Sequence, residues 1–260
     1  MYDAISTAIN DGSLDAQLSF VFSNRERHES ETTDRFFDQI EADHIPLIAK
    51  SSVRFRKAQG GILSQPGEQL PEWRVAFDEA VAGLLTPYHF DIGILAGYML
   101  IFTAPIVEKF PLLNLHPALP TGPVGTWREV NQSLIRQSAT ESGLMMNLAI
   151  PEVDKGPVVA YCRYRIDDSE FELARSELGN VANLDDKTIE ESQLFALIRK
   201  AGLRREPTFV VELARAIANH QLNIPDMDAR STSTQKMVPI DLTQQVDQCL
   251  LDITLGKNAK

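Results

Sequence analysis

The chain has 260 residues, of which 43% are hydrophobic, and its formal net charge is −11. This length and apolar content suffice for one large domain with a buried core, or for one domain with an appendage. The acidic balance argues against general nucleic-acid binding, because neutralising phosphates requires basic side chains.

Cysteine usage and hydropathy narrow the class of protein further. Cys162 and Cys249 are the only cysteines. Two isolated cysteines exclude a disulfide framework and a zinc site, so we expect a reducing cytoplasm. No apolar run approaches membrane-spanning length and the first residues show no signal-peptide pattern, so we expect no membrane contact.

Helices and strands are predicted to alternate through the first hundred residues. The pattern predicts, in order, a helix over 3–10, a strand over 18–22, a helix over 33–42, a strand over 45–49, a loop over 60–67, a helix over 71–85 and a strand over 90–95. In the helix over 71–85, spacing selects Val75, Phe77, Val81 and Leu84 as the buried side chains. Such alternation is typical of an α/β fold.

A polar pair follows on a short apolar strand over 112–116. Asn114 and His116 are two residues apart, so they share one face of that strand. Pro117 cannot donate to a strand ladder and disfavours helix at the residue before it, so the strand should stop at His116. Ligands of open α/β sheets bind outside the carboxyl ends of the strands, which makes this pair a candidate site.

The rest of the chain continues the alternation and then becomes more acidic. Thr126 is a predicted N-cap for a helix over 127–137, with Glu129 at the capping-box position. Two strands over 144–150 and 158–165 follow, and residues 167–187 contain seven acidic residues that suggest a solvated surface insertion. A helix over 189–201 should stop at Gly202, and Glu206 should open a last helix that runs through 218. The tail carries a possible strand over 237–242 and a short helix, to which the sequence assigns no role.

Four motifs occur in an order that resembles the folate-dependent formyltransferase family. They are Leu95-Ala96-Gly97-Tyr98-Met99, Asn114-x-His116-Pro117-Ala118-Leu119-Pro120, Ser142-Gly143 and Val153-Asp154-x-Gly156-Pro157. The similarity covers about residues 3–222, most closely to the branch that acts on glycinamide ribonucleotide. The resemblance implies a Rossmann-like α/β fold, with a mostly parallel sheet and helices on both faces.

The resemblance also implies that a strand is missing. Family members normally begin with a hydrophobic strand and a Gly-rich phosphate-binding loop, whereas this chain starts inside the helix that follows. We therefore expect residues 1–222 to form a formyltransferase domain that lacks its first strand, with two neighbouring strands left unpaired and the true start lying upstream. The acidic insertion at about 167–187 belongs to this domain, and residues 223–260 form a C-terminal extension.

The family's functional residues fall on identifiable positions of this chain. The resemblance implies Asn114, His116 and Asp154 as catalytic residues, Arg74 and Glu206 as acceptor-binding residues, and Tyr98, Met99, Leu100 and Gly125 as folate-binding residues. Leu100, Trp127 and Asn147 replace an arginine and two histidines that relatives usually have, and these departures bear mainly on which acceptor is used. No metal is implied.

Residue chemistry is compatible with transfer of a formyl group to an amine. Attack of an amine on a formamide carbon builds negative charge on oxygen and positive charge on nitrogen. Asn114 can donate to the developing oxyanion, His116 can donate or move protons, and Asp154 can favour the charged imidazole and hold a proton-relaying water. The expected reaction is formyl transfer from 10-formyltetrahydrofolate to glycinamide ribonucleotide in purine synthesis.

Two alternatives stay open at the level of sequence. One is a non-catalytic relative that binds folate or a nucleotide, and the other is a formyltransferase for another amine, such as an amino sugar nucleotide. We expect small-molecule substrates in each case, and the sequence does not indicate an oligomeric state.

Overall fold

Helices and strands alternate along the computed structural model, which describes residues 1–63, 69–152, 155–222, 224 and 238–256. The described strands are β1 (Val21–Ser23), β2 (Leu47–Ala49), β3 (Gly93–Leu95), β4 (Leu112–His116), β5 (Glu141–Leu148), β6 (Val158–Arg165) and β7 (Ile240–Asp241). The described α-helices are α1 (Tyr2–Asn10), α2 (Glu31–Ala42), α3 (Ser52–Ala58), α4 (Glu72–Leu85), α5 (Ala104–Val107), α6 (Trp127–Arg136), α7 (Ser169–Leu178), α8 (Asp186–Glu190), α9 (Gln193–Ala218) and α10 (Thr243–Thr254).

The described strands form two sheets. One contains β1 and β2, and the other has the order β3-β4-β5-β6-β7. Among these strands, β1 and β2, β3 and β4, and β6 and β7 pair in parallel, whereas β5 runs antiparallel to both of its neighbours. The predicted α/β fold with a mostly parallel sheet is confirmed.

The two sheets of the described residues are connected by side chains and not by a backbone ladder. Within the described residues, β1 and β3 each stand at the edge of a separate sheet. Aromatic side chains connect the sheets: the Phe20 and Phe90 ring centres are 5.2 Å apart, and those of Phe22 and Tyr98 are 6.2 Å apart. Side-chain packing thus joins segments that have no backbone ladder between them.

Two apolar clusters lie on opposite sides of β4. Leu113 belongs to the larger cluster, with buried residues of β5, β6, α6, α9 and α10. Leu112 belongs to the smaller one, with buried residues of α4 and α5. Successive side chains of a strand point to opposite faces of the sheet, so β4 is covered on both sides. The strand that carries Asn114 and His116 is therefore packed between two layers.

Helix α4 buries a different face from the one that spacing selected. Phe77 and Val81 are buried as predicted, but Val75 and Leu84 are each 40% exposed, so that part of the prediction was wrong. Arg74 and Asp78 occupy the buried face instead, with exposed fractions of 1% and 0%. A rule that assigns charged residues to the solvent cannot find this face.

Helix α9 continues through the predicted break at Gly202. It spans 26 residues and includes Pro207, so Glu206 lies inside the helix and does not open it. Buried side chains occur on both sides of the break, including Ile198 and Leu213. Tertiary packing of this face outweighs the hydrogen bond that Pro207 cannot make.

The acidic segment and the tail both contribute to the packed structure. In the acidic segment, Phe171 and Ala174 of α7 are buried, while its carboxylates lie mainly at the surface. In the tail, β7 pairs with β6 through Ala160 and Ile240, and Leu242 is 1% exposed in the larger cluster. Among the described residues, no helix is both long and apolar enough to cross a membrane.

Candidate active site

His116 occupies the last position of β4 and is only 4% exposed. Its Nε2 atom lies 3.2 Å from the carbonyl oxygen of Pro123. A carbonyl oxygen can only accept a hydrogen bond, so Nε2 must carry a proton in this arrangement. Nδ1 is then the acceptor nitrogen of the neutral ring, and the imidazole is held in one orientation.

Asn114 lies two residues before His116, between an apolar residue on one neighbouring strand and a polar residue on the other. Its Cα partners are Leu95 on β3 and Asn147 on β5. Asn147 is 2% exposed, and its Oδ1 atom has no hydrogen-bond partner among the described residues. Buried amide oxygens are ordinarily satisfied, so Asn147 adds an acceptor beside Asn114 that the predicted catalytic residues did not include.

The segment after β4 is anchored by a contact that explains the Ser142-Gly143 motif. A Cβ atom at Gly143 would lie 2.6 Å from the backbone oxygen of Cys162 and 2.3 Å from Cδ2 of Leu119, so the backbone contact requires glycine where the leucine side chain lies on β5. Gly122 N donates to Leu119 O at 2.8 Å. The resulting turn brings Pro123 back to His116.

Gly125 ends this segment in a conformation that favours glycine. Its φ is +119°, and an added Cβ would lie 2.7 Å from Oε2 of Glu129. That oxygen accepts from Thr126 N at 2.6 Å, while the Thr126 hydroxyl accepts from Glu129 N. The capping box predicted for this helix is confirmed, and it places the Gly125 backbone at the start of α6.

Asp154 lies outside the described residues, but the motif that follows it is held close to β4. A Cβ atom at Gly156 would lie 1.7 Å from Leu148 O, so only glycine fits there. Leu148 N donates to Pro157 O at 3.0 Å, and Leu148 pairs with Leu113 of β4. Gly156 is therefore placed against the strand partner of the residue that precedes Asn114.

The predicted folate-binding residues follow β3 at the same end of the sheet. Leu95, the last residue of β3, is the Cα partner of Asn114, so the turn after it starts beside the polar pair. Tyr98 stacks on Phe102 with ring centres 4.3 Å apart and an interplanar angle of 12°. Burial raises the pKa of Tyr98. Met99 is 75% exposed and Leu100 is half-buried, so this turn presents apolar surface to solvent.

The two predicted acceptor-binding residues are both already engaged. Arg74 donates from Nη2 to Ile101 O, and its guanidinium carbon lies 5.0 Å from the centre of the Trp73 ring. Glu206 accepts from Arg199 through Oε1 at 3.1 Å. Arg74 thus contacts the segment that follows Tyr98, whereas Glu206 lies on α9.

Arg199 connects Glu206 to the start of α6. Its guanidinium carbon lies 4.6 Å from the centre of the Trp127 ring, and Trp127 directly follows the Thr126 cap. Trp127, noted in the sequence as a departure from relatives, is thereby part of a groove of about 540 Å³. The groove is lined by Trp127, Phe195, Ala196, Arg199, Lys200, Leu203 and Arg204.

Neither cysteine thiol is suited to act as a nucleophile. Burial raises the pKa of Cys162 to about 12, and burial together with Glu212 raises that of Cys249 to about 11. Thiolate is the reactive form of cysteine, and little of it forms near neutral pH at these values. In the described part of the chain, no three His, Cys, Asp or Glu side chains are grouped so that they could hold a metal ion.

The chain is similar in sequence to a known protein family. The profile described as formyl transferase matches residues 1–176. The chain belongs to the formyl transferase family. The matched region contains β4, with Asn114 and His116, and it includes the position of Asp154.

Relatives of this family member carry names from purine synthesis. A segment of 145 residues is 29% identical to phosphoribosylglycinamide formyltransferase of Saccharomyces cerevisiae, covering 52% of this chain and 65% of the yeast protein. A segment of 88 residues is 31% identical to the human trifunctional purine biosynthetic protein adenosine-3, covering 33% of this chain and 8% of that protein. The matches thus span less than two thirds of the length of these relatives.

Solved structures confirm the fold of the family. The crystal structure of glycinamide ribonucleotide transformylase 1 from Symbiobacterium toebii aligns with a TM-score of 0.58 at 21% identity, covering 87% of this chain and 85% of that chain. Phosphoribosylglycinamide formyltransferase from Coxiella burnetii aligns with a TM-score of 0.53 at 18% identity, covering 86% and 84% of the two chains. At these identities the likeness establishes the fold alone.

Proposed function

We propose that this protein transfers a formyl group from 10-formyltetrahydrofolate to a primary amine, with glycinamide ribonucleotide as the acceptor. The observation that carries the proposal is the polar pair Asn114 and His116 at the carboxyl end of β4, within the region that matches the formyl transferase family. The name of the yeast relative supports the acceptor, and that of the human relative supports a role in purine synthesis.

The residues around the turn after β3 fit a folate. Exposed Met99 and half-buried Leu100 offer apolar surface beside the stacked rings of Tyr98 and Phe102, and a flat pteridine ring favours such surfaces. Gly125 adds backbone that a ligand can approach closely because it has no side chain. When bound, the folate supplies the formyl group.

Asn114 and His116 would manage the charges that the transfer creates. The amine nitrogen forms a bond to the formyl carbon, the bond from that carbon to the folate nitrogen breaks, and one proton passes from the amine to the leaving nitrogen. Asn114 donates its amide N–H to the formyl oxygen, on which negative charge develops. His116 is held through Nε2 by Pro123, so Nδ1 is the nitrogen that we assign to proton transfer.

Asp154 completes the proposed catalytic set. Its negative charge would favour the imidazolium form of His116, and its carboxylate can hold a water that carries the proton between the two nitrogens. The tight approach of Gly156 to Leu148 supports this role, since Gly156 follows Asp154 by two residues in the chain and lies against the strand next to β4.

The acceptor contacts are assigned to Arg74 and Glu206. Nη1 of Arg74 has no hydrogen-bond partner among the described residues, so it is the nitrogen that we assign to the acceptor. Glu206 uses Oε1 for Arg199, which leaves the acceptor role to Oε2. A free-thiol chain acting on small molecules is suited to a reducing cytoplasm, which we propose as its compartment.

The test is a formyl transfer assay with 10-formyltetrahydrofolate and glycinamide ribonucleotide. We expect kcat to fall by about 10²–10³-fold in Asn114→Ala and by about 10²–10⁴-fold in His116→Ala. His89→Ala is the matched control, because His89 is exposed and lies away from β4 in the sequence. Its activity should equal that of the wild type.

Three outcomes would count against parts of the proposal. Equal losses in His116→Ala and His89→Ala would remove His116 from the chemistry. Folate binding without transfer to any amine would indicate a binding protein. Transfer to another amine, but not to glycinamide ribonucleotide, would retain the reaction and overturn the acceptor.

A further inference from the structure

Helix α4 buries two charged side chains. Arg74 is 1% exposed and Asp78 is 0% exposed, and they are one helical turn apart. Removing two charges from water carries a desolvation penalty, and even an ion pair of good geometry does little more than offset it. Here Arg74 Nη2 and Asp78 Oδ1 are 4.0 Å apart, at the outer limit of an ion pair. Stability alone does not account for this pair.

Both side chains reach the same short segment outside the helix. Asp78 Oδ2 accepts from Thr103 N at 2.6 Å and from Thr103 Oγ1 at 2.8 Å. Arg74 Nη2 donates to Ile101 O. The pair therefore fixes residues 101–103, which connect the turn after β3 to helix α5.

Thr103 uses its side chain for α4 and not for the helix that it precedes. It occupies the N-cap position of α5, where a threonine hydroxyl normally accepts from the helix backbone. No such side-chain cap is present at α5, and the Thr103 hydroxyl donates to Asp78. The contact to α4 thus sets the orientation of this segment.

The fixed segment carries the turn that presents Met99 and Leu100. Phe102 lies between Ile101 and Thr103, and its ring is the one on which Tyr98 stacks. Buried polar atoms of all three groups, Arg74 Nη1, Asp78 Oδ1 and the Tyr98 hydroxyl, have no hydrogen-bond partner among the described residues. Through Phe102, the position of Tyr98 depends on contacts made by α4.

We propose that Asp78, together with Arg74, is a positioning residue that holds residues 101–103 and so sets the turn at Tyr98–Leu100 in its folate-binding conformation. The folate part of this inference rests on the proposed function. Asp78 itself need not touch a substrate, because it acts through Thr103 and Phe102.

The first variant is Asp78→Asn, with Glu79→Gln as the matched control on the exposed side of the same helix. Asp78→Asn should raise KM for 10-formyltetrahydrofolate on the order of tenfold to a hundredfold, as expected for loss of a hydrogen bond to a charged group. The value of kcat at saturating substrates should stay within about twofold of the wild type, since the polar pair on β4 is untouched. Glu79→Gln should leave both the folate KM and kcat unchanged.

Thr103 gives a second pair of variants that tests the same contact from the other side. Thr103→Val removes the hydroxyl that donates to Asp78 and should also raise the folate KM, whereas Thr103→Ser retains the hydroxyl and should restore it. In the double variant with Asp78→Asn, the Thr103→Val change should have little additional effect, because both remove one interaction.

Amide hydrogen exchange provides a readout that does not depend on activity. The Thr103 N–H should exchange faster in Asp78→Asn than in Glu79→Gln. Unchanged exchange and an unchanged folate KM in folded Asp78→Asn would overturn the inference. A fall in kcat as large as the rise in the folate KM would also overturn it, since it indicates general damage. A wild type that fails to bind 10-formyltetrahydrofolate would overturn the proposed function and the folate part, and exchange at Thr103 would then decide whether Asp78 holds the segment.

Discussion

At the scale of single residues, the structure identifies the hydrogen-bond partner of His116, which a sequence motif cannot predict. The position of His116 after a short strand is readable from sequence, but the nitrogen that carries its proton depends on Pro123, seven residues further on. Asn147 is comparable: it lies opposite Asn114 only because β4 and β5 pair in one register. These details determine which atoms are available for chemistry.

Asp78 makes the stability of the protein depend on pH in a predictable direction. Burial raises its pKa, and the hydrogen bonds from Thr103 and the charge of Arg74 only partly oppose this effect. The folded state therefore binds the Asp78 proton more tightly than the unfolded state, whose pKa is about 3.9. The contribution of Asp78 to the free energy of unfolding is most favourable below that pH and decreases as pH rises through the raised folded pKa.

The variant Asp78→Asn removes this titration. Wild-type stability relative to Asp78→Asn should therefore decline as pH increases above about 4, as measured by urea unfolding at a series of pH values. A relative stability that increases over this range would contradict the stated direction. Glu79→Gln, which removes an exposed carboxyl group on the same helix, is the control.

At the scale of elements, short-range patterns succeeded where the partners are close in sequence. The bounds of β4 and β6 agree with the predicted strands over 112–116 and 158–165. The capping box at Thr126 and Glu129 also formed as predicted, because both partners lie within one helical turn. In contrast, the predicted stop at Gly202 was wrong, because buried contacts across α9 decide its continuity.

Gly125 and Gly83 provide a matched test of local backbone requirements. Gly125→Ala should lower the free energy of unfolding by about 1–3 kcal/mol, because φ of +119° is unfavourable for alanine and the methyl group would meet Glu129. Gly83→Ala should raise it by about 0.5–1 kcal/mol, because Gly83 is within α4 and a Cβ there would meet nothing within 4 Å. Denaturant unfolding measures both, and a neutral Gly125→Ala would show that the capping box does not need glycine.

At the scale of the whole molecule, the last described strand and helix are part of the packed core. Residues of β7 and α10 join the cluster that covers one face of β4, although the sequence assigned the tail no role. Near the other end of the chain, aromatic contacts of Phe20 and Phe22 connect the two sheets. The scaffold that holds the candidate site therefore includes segments near both ends of the described chain.

Leu242 tests whether the tail stabilises the whole domain. It is 1% exposed, so Leu242→Ala should reduce the free energy of unfolding by about 2–5 kcal/mol through lost burial and a residual cavity. Leu251 on α10 is 57% exposed, and Leu251→Ala should change stability by less than about 0.5 kcal/mol. A single cooperative transition with the larger loss in Leu242→Ala is expected, and a loss no larger than that of Leu251→Ala would show that burial of Leu242 does not stabilise the domain.

The sequence by itself determined the fold class, the family, most element positions and the polar pair of the candidate site. These features depend on periodicity, on Pro117 and on motifs whose members are close together in the chain. Only the tertiary structure decided that α9 is continuous, that Arg74 and Asp78 are buried, that Nε2 of His116 carries a proton and that the tail completes the sheet. Most of these features depend on partners that are distant in the chain, and the hydrogen bond of His116 depends on the path of an irregular loop. Periodicity and local propensity therefore could not specify them.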